Sequence, residues 1–428
     1  MGDHMAPVRA PAGTHDVLWP ESARWERLVA EFAQRAQRAG FGLVLNPMFE
    51  DAALFRRGIG DESDVVRKEM YEFADRGGRE VALRPEGTAS VVRAFVQHHP
   101  PVPWKAWYVT PAFRYERPQA GRYKQHHQLG VEALGTDDPD LDVEVVTLAA
   151  DLFGWLGLTQ VDLALNSMGC GECRTVYVEA LVAYLDAHAS ELCDEHRERY
   201  RANPLRVLDC KRPPCRAVTE DAPRITDYLD EECAAHLARV RVGLEELGVA
   251  YRLDPRLVRG LDYYTRTTFE FAATALTSAQ NAIGGGGRYD GLAEAIGGPR
   301  SPGIGFGIGI ERLLLACDAE GVFALDPPRP DAFVVDVTGG AAAALCAELR
   351  RAGLGAVRAY DGRSLKSQLK QADRSGARHA LIVGPEELAR GIVTARPLRH
   401  EGPQEAVPRA SVVDWLAARQ ATETKEDQ

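Results

Sequence analysis

The chain has 428 residues, 45% hydrophobic and 26% charged, with a formal net charge of −11 at neutral pH. That length exceeds one ordinary core and calls for two or three domains of globular composition. No apolar run approaches a membrane span and no export signal opens the chain, so a cytoplasmic protein with no membrane partner is expected. The acidic balance also argues against indiscriminate nucleic-acid binding over the whole surface.

In chain order, the first predicted element is a helix over Glu21–Ala39. Trp25, Leu28, Val29, Phe32 and Ala36 recur on one face at helical spacing, and Gly40 ends it. Residues 41–50 follow as a strand broken at Pro47. From Glu80 to Ala164 the pattern reads as strands, a hairpin and an amphipathic helix near Asp140–Leu156. The hairpin runs from Phe113 to Gly135. Apolar Trp107, Val109 and Phe113 lead into Arg114 and Glu116, which share a strand face because side chains repeat every two residues. Its loop carries Arg117, Arg122 and Lys124, and its return strand carries Gln128, Val131 and Glu132. An Arg beside a Glu next to a cationic loop suits a nucleotide, the guanidinium for phosphate and the carboxylate for an exocyclic amine. It equally suits a salt-bridged hairpin with a solvated tip.

Residues 166–251 change character, becoming helix-rich and crowded with Cys and Arg, and read as an inserted domain. Six of the eight cysteines fall there: Cys170, Cys173, Cys193, Cys210, Cys215 and Cys233. The spacing Cys170-x2-Cys173 followed by Cys193-x2-His196 fits a tetrahedral zinc site of three thiolates and one imidazole. It also fits reduced, unligated thiols on helices, and no metal is assigned. Disulfides are not expected without export.

Strands resume at Tyr251 and run through Gly284–Gly287 to the segment Pro302–Leu315. That segment, PGIGFGIGIERLLL, is a glycine-rich strand feeding a helix from about Gly309 or Ile310. Gly305, Gly307 and Gly309 remove side chains where something large must lie close to backbone. Arg312 sits in the first helical turn, a poor place for a cation on dipole grounds, which points to an anionic ligand. Leu325–Asp331 is a Pro-rich linker. Beyond it, AFVVDV, an Ala-rich helix to Arg351, AVRAY, a helix near Leu365–Asp373 and HALIVG form a small α/β domain with parallel strands. Residues 331–400 hold 11 Lys+Arg against 7 Asp+Glu, a local excess that fits one RNA-facing surface.

Arg114-x-Glu116 on a hairpin and the glycine-rich strand running into Glu311-Arg312 together resemble motifs 2 and 3 of the class II aminoacyl-tRNA synthetases. LVRGLDYYTRTTFEF at Leu257–Phe271 and GGGGRYDGL at Gly284–Leu292 resemble the two signature peptides of the histidyl-tRNA synthetase family. LRPEGT at Leu83–Thr88 resembles its amino-acid-gripping stretch. The resemblance runs from about Pro11 to about Trp415. It implies an α+β class II catalytic domain, an antiparallel sheet flanked by helices, in two parts (5–165 and 251–324). A helical insertion (166–250), a linker (325–330) and a C-terminal α/β anticodon-binding domain (331–428) complete the expected organisation. The helix and strand over 21–49 occupy the motif 1 position, which implies a homodimer.

The activity so implied is activation of histidine by ATP, with magnesium, to histidyl-adenylate and pyrophosphate, then transfer to the 3′ end of histidine tRNA. Both reactants are anionic, so the site needs cations and positioning more than a nucleophile of its own. By resemblance, Arg114 and Arg259 serve the α-phosphate, Glu116 meets the adenine, and Arg122 and Arg312 hold the outer phosphates. Arg259 could otherwise form an ion pair with Asp262. Glu86, Thr88 and Gln128 can accept from the substrate amine, with Gly87 among them. Glu132 and Tyr264 match the family positions for the imidazole, with Tyr263 beside them. In the motif 2 loop Gln119 is expected to read a base of the tRNA acceptor end, and Arg117 and Lys124 to hold phosphate. His98, His99, His126 and His127 receive no role. The runner-up is a paralogue without aminoacylation, such as the regulatory subunit of ATP phosphoribosyltransferase. Such proteins lack the C-terminal domain and degrade the signature arginines, all of which are present here.

Overall fold

A computed structural model describes residues 7–60, 63–117, 119–258, 263–277 and 281–426. The chain forms two compact units, residues 1–325 and 326–428.

The first unit opens with α1 (Glu21–Arg38), one residue shorter than expected. Leu28, Phe32 and Ala36 are buried and Trp25 and Val29 pack beside them, as the helical spacing requires. Gly40 takes φ +81, which stops the helix at little steric cost. The segment broken at Pro47 contributes to two different sheets, through β1 (Gly42–Leu43) and β2 (Phe49–Asp51). After α2 (Ala52–Ile59), β3 (Tyr71–Ala74) and β4 (Glu80–Leu83) complete a small sheet with β2. Then come α3 (Thr88–His98), the ten-residue strands β5 (Trp104–Phe113) and β6 (Gln125–Leu134), α4 (Pro139–Trp155) and β7 (Val161–Ser167).

The cysteine-rich segment holds α5 (Gly171–Ala187), α6 (Asp194–Arg199), α7 (Leu205–Leu208), α8 (Pro213–Glu220) and α9 (Glu231–Glu246). Tyr177, Leu181, Leu185, Val207, Leu208, Val218 and Ile225 form its own small core. By contrast, α9 places Leu237, Val240 and Leu244 in the main core. The unit ends with β8 (Arg252–Leu253), β9 (Thr265–Ala273), β10 (Ala282–Arg288), α10 (Leu292–Ala295), β11 (Gly303–Gly309) and α11 (Ile310–Glu320).

The main sheet has the order β1-β5-β6-β11-β10-β9-β7-β8, antiparallel except for the β1–β5 and β7–β8 pairs. Its two faces follow from period-two alternation. Leu129 and Val131 on β6, Phe269 and Phe271 on β9, and Ile304, Phe306 and Ile308 on β11 enter the core with Phe32 and Leu313. The alternate residues Tyr108, Gln128, Glu132, Glu270 and the glycines of β11 take the opposite face, where the candidate site lies. One buried charge cluster pins the sheet to its helices. Arg288 pairs with Asp142 at 2.7 Å, both at 0% side-chain exposure, and His236 Nε2 lies 2.7 Å from the same carboxylate. Removing one partner of such a pair leaves an uncompensated buried charge and costs about 3–5 kcal/mol.

The second unit comprises β12 (Ala332–Asp336), α12 (Ala341–Arg351), β13 (Ala356–Arg358), α13 (Leu365–Arg374), β14 (His379–Val383), α14 (Pro385–Arg390), β15 (Ile392–Pro397), β16 (Glu405–Pro408) and α15 (Val412–Glu426). The expected strands β12, β13 and β14 are parallel. β15 and β16 extend the sheet antiparallel, so it is mixed rather than purely parallel. Val334, Leu345, Leu349, Leu381 and Leu416 fill one side and Phe333, Val335 and Ala380 the other.

Candidate active site

A groove of about 310 Å³ opens on the glycine face, with Gly284, Gly307 and Gly309 in its floor. Arg114, Arg122 and Arg312 converge there, together with Glu116, His126, Gln128, Glu270 and Glu311. Each arginine is anchored on one side. Arg114 Nε donates to Pro85 O at 2.9 Å. Arg122 pairs with Glu116 at 3.1 Å. Arg312 donates from Nε to Gly121 O at 3.1 Å and from Nη1 to Ala282 O at 2.9 Å. Thus the cation expected to be awkward at its helix start is steadied by two carbonyls. Burial, then Arg122, holds the Arg312 guanidinium below its usual range. The same crowding acts on His126. Burial first, then Arg114 and Arg312, pushes its imidazole down to about 3, leaving it neutral at physiological pH. Glu311 opens α11 and accepts from His127 N with both oxygens at 3.0 Å, so it locks the helix start to β6.

Next to the groove lies a polar hydrogen-bond network centred on Glu132, which is fully buried. Its Oε1 accepts from Thr88 Oγ1 at 2.7 Å and Tyr108 at 3.2 Å, and its Oε2 accepts from Tyr289 at 2.5 Å. The register of β6 on β11 sets Glu132 opposite Gly305, where a Cβ would come within 1.8 Å of Oε2. Gly130 plays the same part for Tyr108, whose hydroxyl lies 2.3 Å from where a Cβ would stand. Burial raises the Glu132 carboxyl to about 8 against the hydroxyls of Tyr289 and Thr88.

The other residues expected to meet the amino acid fall around this network. Glu86 accepts from Thr88 N at 2.6 Å and Ala89 N at 2.7 Å, so it caps α3. Gly87 is needed because a Cβ there would meet the Tyr108 ring at 2.4 Å. Tyr263 and Tyr264 pack with centroids 4.8 Å apart, and Tyr263 reaches Tyr289 at 5.8 Å. Gln128 stands between groove and network, and its buried Oε1 has no hydrogen-bond partner among the described residues. Arg259 and Asp262 lie outside the described residues.

The hairpin tip is a tight turn in which Gln119 and Arg122 exchange backbone hydrogen bonds of 3.0 and 2.8 Å. Gly121 supplies φ +71, and the tip rests on Arg312 and Leu315 of α11. Arg117 and Gln119 are exposed. Lys124 instead stacks its ammonium 4.1 Å over the Tyr115 ring.

The cysteine grouping expected from spacing is corrected. Cys170 and Cys173 cluster with Asp230 and Cys233, whereas Cys193 and His196 cluster with Cys210 and Cys215. Most of α5 lies between Cys173, its third residue, and Cys193, and each pair finds its partners elsewhere in the chain.

Sequence reasoning missed several participants. Tyr289 stands in the quoted GGGGRYDGL peptide, so its signal was present. Tyr108 stands between Trp107 and Val109, so strand alternation puts it on the face opposite theirs. Asp209 and Lys211 also line the groove. They come from the inserted segment, and nothing local in the sequence announces it.

A family model described as histidyl-tRNA synthetase matches residues 13–313, and one described as anticodon binding domain matches residues 331–419. The chain is 50% identical over 413 residues to a histidine–tRNA ligase from Moorella thermoacetica, covering 95% of this chain and 97% of that protein. It is 49% identical over 413 residues to one from Rhodococcus erythropolis, with the same shares covered. Among solved structures, apo histidyl-tRNA synthetase from S. aureus superimposes with a TM-score of 0.80 at 35% identity, covering 96% of this chain and 100% of that one. With its glycine-faced sheet, its arginine groove and its C-terminal domain, the chain belongs to the histidyl-tRNA synthetase family.

Proposed function

We propose that the chain is a histidine–tRNA ligase whose adenylate forms where the arginine groove meets the Glu132 network. The observation that carries this reading is the convergence of Arg114, Arg122 and Arg312 beside one buried carboxylate network. ATP lies in the groove. Arg114 faces the α-phosphate, Arg122 and Arg312 the outer phosphates, and Glu116 the adenine once Arg122 turns to phosphate. Glu270 and Glu311 supply the hard oxygen donors that suit magnesium carried by the nucleotide. Histidine lies toward Glu132 with its ammonium on the open acceptor of Gln128, and Tyr263 and Tyr264 enclose the ring. One histidine carboxylate oxygen attacks the α-phosphorus, and the bond to the β-phosphate oxygen breaks to release pyrophosphate. The arginines stabilise the charge that builds on phosphate oxygens, and Arg259 acts on the same centre. The tRNA terminal hydroxyl then attacks the adenylate carbonyl, and AMP leaves.

Gln119 and Arg117, exposed on the tip, face the tRNA acceptor end, with Lys124 adding charge. Residues 331–428 bind the anticodon region. Their cationic excess is confined to 331–400, since the whole segment holds 14 Lys+Arg against 13 Asp+Glu. Exposed Leu43, Leu45, Met48 and Phe49 offer an apolar surface for a homodimer at the motif 1 position. No helix among the described residues is long and apolar enough to cross a membrane, and a cytoplasmic location is proposed. The regulatory-subunit reading is not favoured, because Arg114, Arg312 and the C-terminal domain are all present. Histidine-dependent exchange of pyrophosphate into ATP tests the proposal. Exchange with purified protein and magnesium is expected, and its absence overturns the ligase reading.

A further inference from the structure

We propose that Cys193, His196, Cys210 and Cys215 bind one zinc ion, and that this ion holds Asp209 and Lys211 in the wall of the nucleotide groove. The four donor atoms all lie within 4.8 Å of one another. Cys193 Sγ is 3.1 Å and Cys215 Sγ 3.8 Å from His196 Nδ1. Zinc bonds of about 2.3 Å to sulfur and 2.0–2.1 Å to nitrogen place tetrahedral donors roughly 3.5–3.8 Å apart, so little movement closes the site. Four protein donors make a closed, structural site rather than a catalytic one. The Cys193 amide already donates to Cys215 Sγ at 3.4 Å, which favours a thiolate there.

The surrounding fold gives the ion a task. α6, α7 and α8 have six, four and eight residues. Helices this short do not persist alone, and a small core of this kind commonly needs a staple. The ligands come from the turn before α6, from α6, from the turn after α7 and from α8, so one ion ties all three helices. Cys210 lies directly between Asp209 and Lys211, which line the groove with Arg114 and Arg122. Fixing Cys210 therefore fixes the one stretch of the inserted segment that reaches the groove among the described residues.

A second cluster carries its own argument. Cys170 caps α5 and Cys173 is that helix's third residue, while Asp230 caps α9 and Cys233 is its third residue. The two helix starts converge, and Asp230 Oδ2 lies 3.1 Å from both Cys170 Sγ and Cys173 Sγ. Three thiolates and a carboxylate at two positive helix ends form a second zinc-type site joining the inserted segment to the main core.

The test is metal content of the full chain purified without chelator, together with cobalt substitution. Two zinc ions per chain are expected, with tetrahedral thiolate–cobalt bands after exchange. Cys210→Ser and Cys233→Ser should each lose one ion, and His196→Cys should keep both. Metal-free protein that also gives no tetrahedral cobalt spectrum overturns both sites, even where the variants fail to fold. One ion lost in Cys210→Ser and kept in Cys233→Ser supports the first site and overturns the second, and the reverse pattern overturns the first. The positioning role rests on the ligase reading, whereas the metal count does not. Cys210→Ser should raise the KM for ATP in pyrophosphate exchange about tenfold or more with little change in the KM for histidine. Equal losses for both substrates overturn the positioning role.

Discussion

Tyr289 donates its phenol hydroxyl to the Glu132 carboxylate at 2.5 Å where neither side chain is more than 1% exposed. Burial raises Glu132 to about 8 despite this bond and the one from Thr88. An acid with a raised folded-state pKa binds more protons folded than unfolded between about 4.5 and 8. Its contribution to stability is therefore complete below that window and is lost as pH rises through it. Denaturant unfolding should show the native protein losing at most about 3 kcal/mol from this group between pH 6 and 8. Glu132→Gln should flatten that part of the profile, and identical profiles would refute the assignment. Tyr289→Phe should weaken histidine binding more than ATP binding.

Arg114→Lys keeps the charge but loses both the fork and the Nε bond to Pro85. Adenylate formation in a single turnover is expected to slow about a hundredfold. Arg259→His should act on the same step. An unchanged rate in the Arg114 variant rules out its phosphate role.

Leu45 is 77% and Met48 53% exposed on the segment between β1 and β2. Changing both to Asp should turn a dimer into a monomer by light scattering. A monomeric native protein with full activity contradicts the dimer proposal.

The chain divides after Leu325, and the second unit has cores of its own. A protein truncated there should keep much of its histidine-dependent pyrophosphate exchange yet charge tRNA poorly. Equal charging by truncated and full-length chains sinks the anticodon assignment.

Gln119 is exposed at the hairpin tip, where its amide can both donate to and accept from a base edge. Gln119→Ala should reduce charging of tRNA that carries an extra 5′ guanosine far more than of tRNA lacking it. Lys124→Ala should weaken both alike. Equal losses in the Gln119 variant count against base reading.

Local pattern alone determined much of this protein. Helical spacing placed α1 to within one residue. Period-two alternation in GIGFGIG put Ile304, Phe306 and Ile308 in the core and left the glycines facing the site. These features are legible because each depends on near neighbours and on one repeating geometry. The tertiary structure decided the rest. Glu86 also steadies the start of α3, because chain path brings the amides of Thr88 and Ala89 onto its carboxylate. Tyr108 on β5 and Tyr289 just past β10 join Glu132 from stretches far apart in sequence. The thiols regroup because the start of α9 brings Asp230 and Cys233 to Cys170 and Cys173, while Cys210 and Cys215 meet Cys193 and His196. Asp209 and Lys211 reach the groove only through the packing of an inserted segment. Strand register and chain crossing choose such partners, and a single sequence with no local repeat at those positions does not encode the choice in readable form.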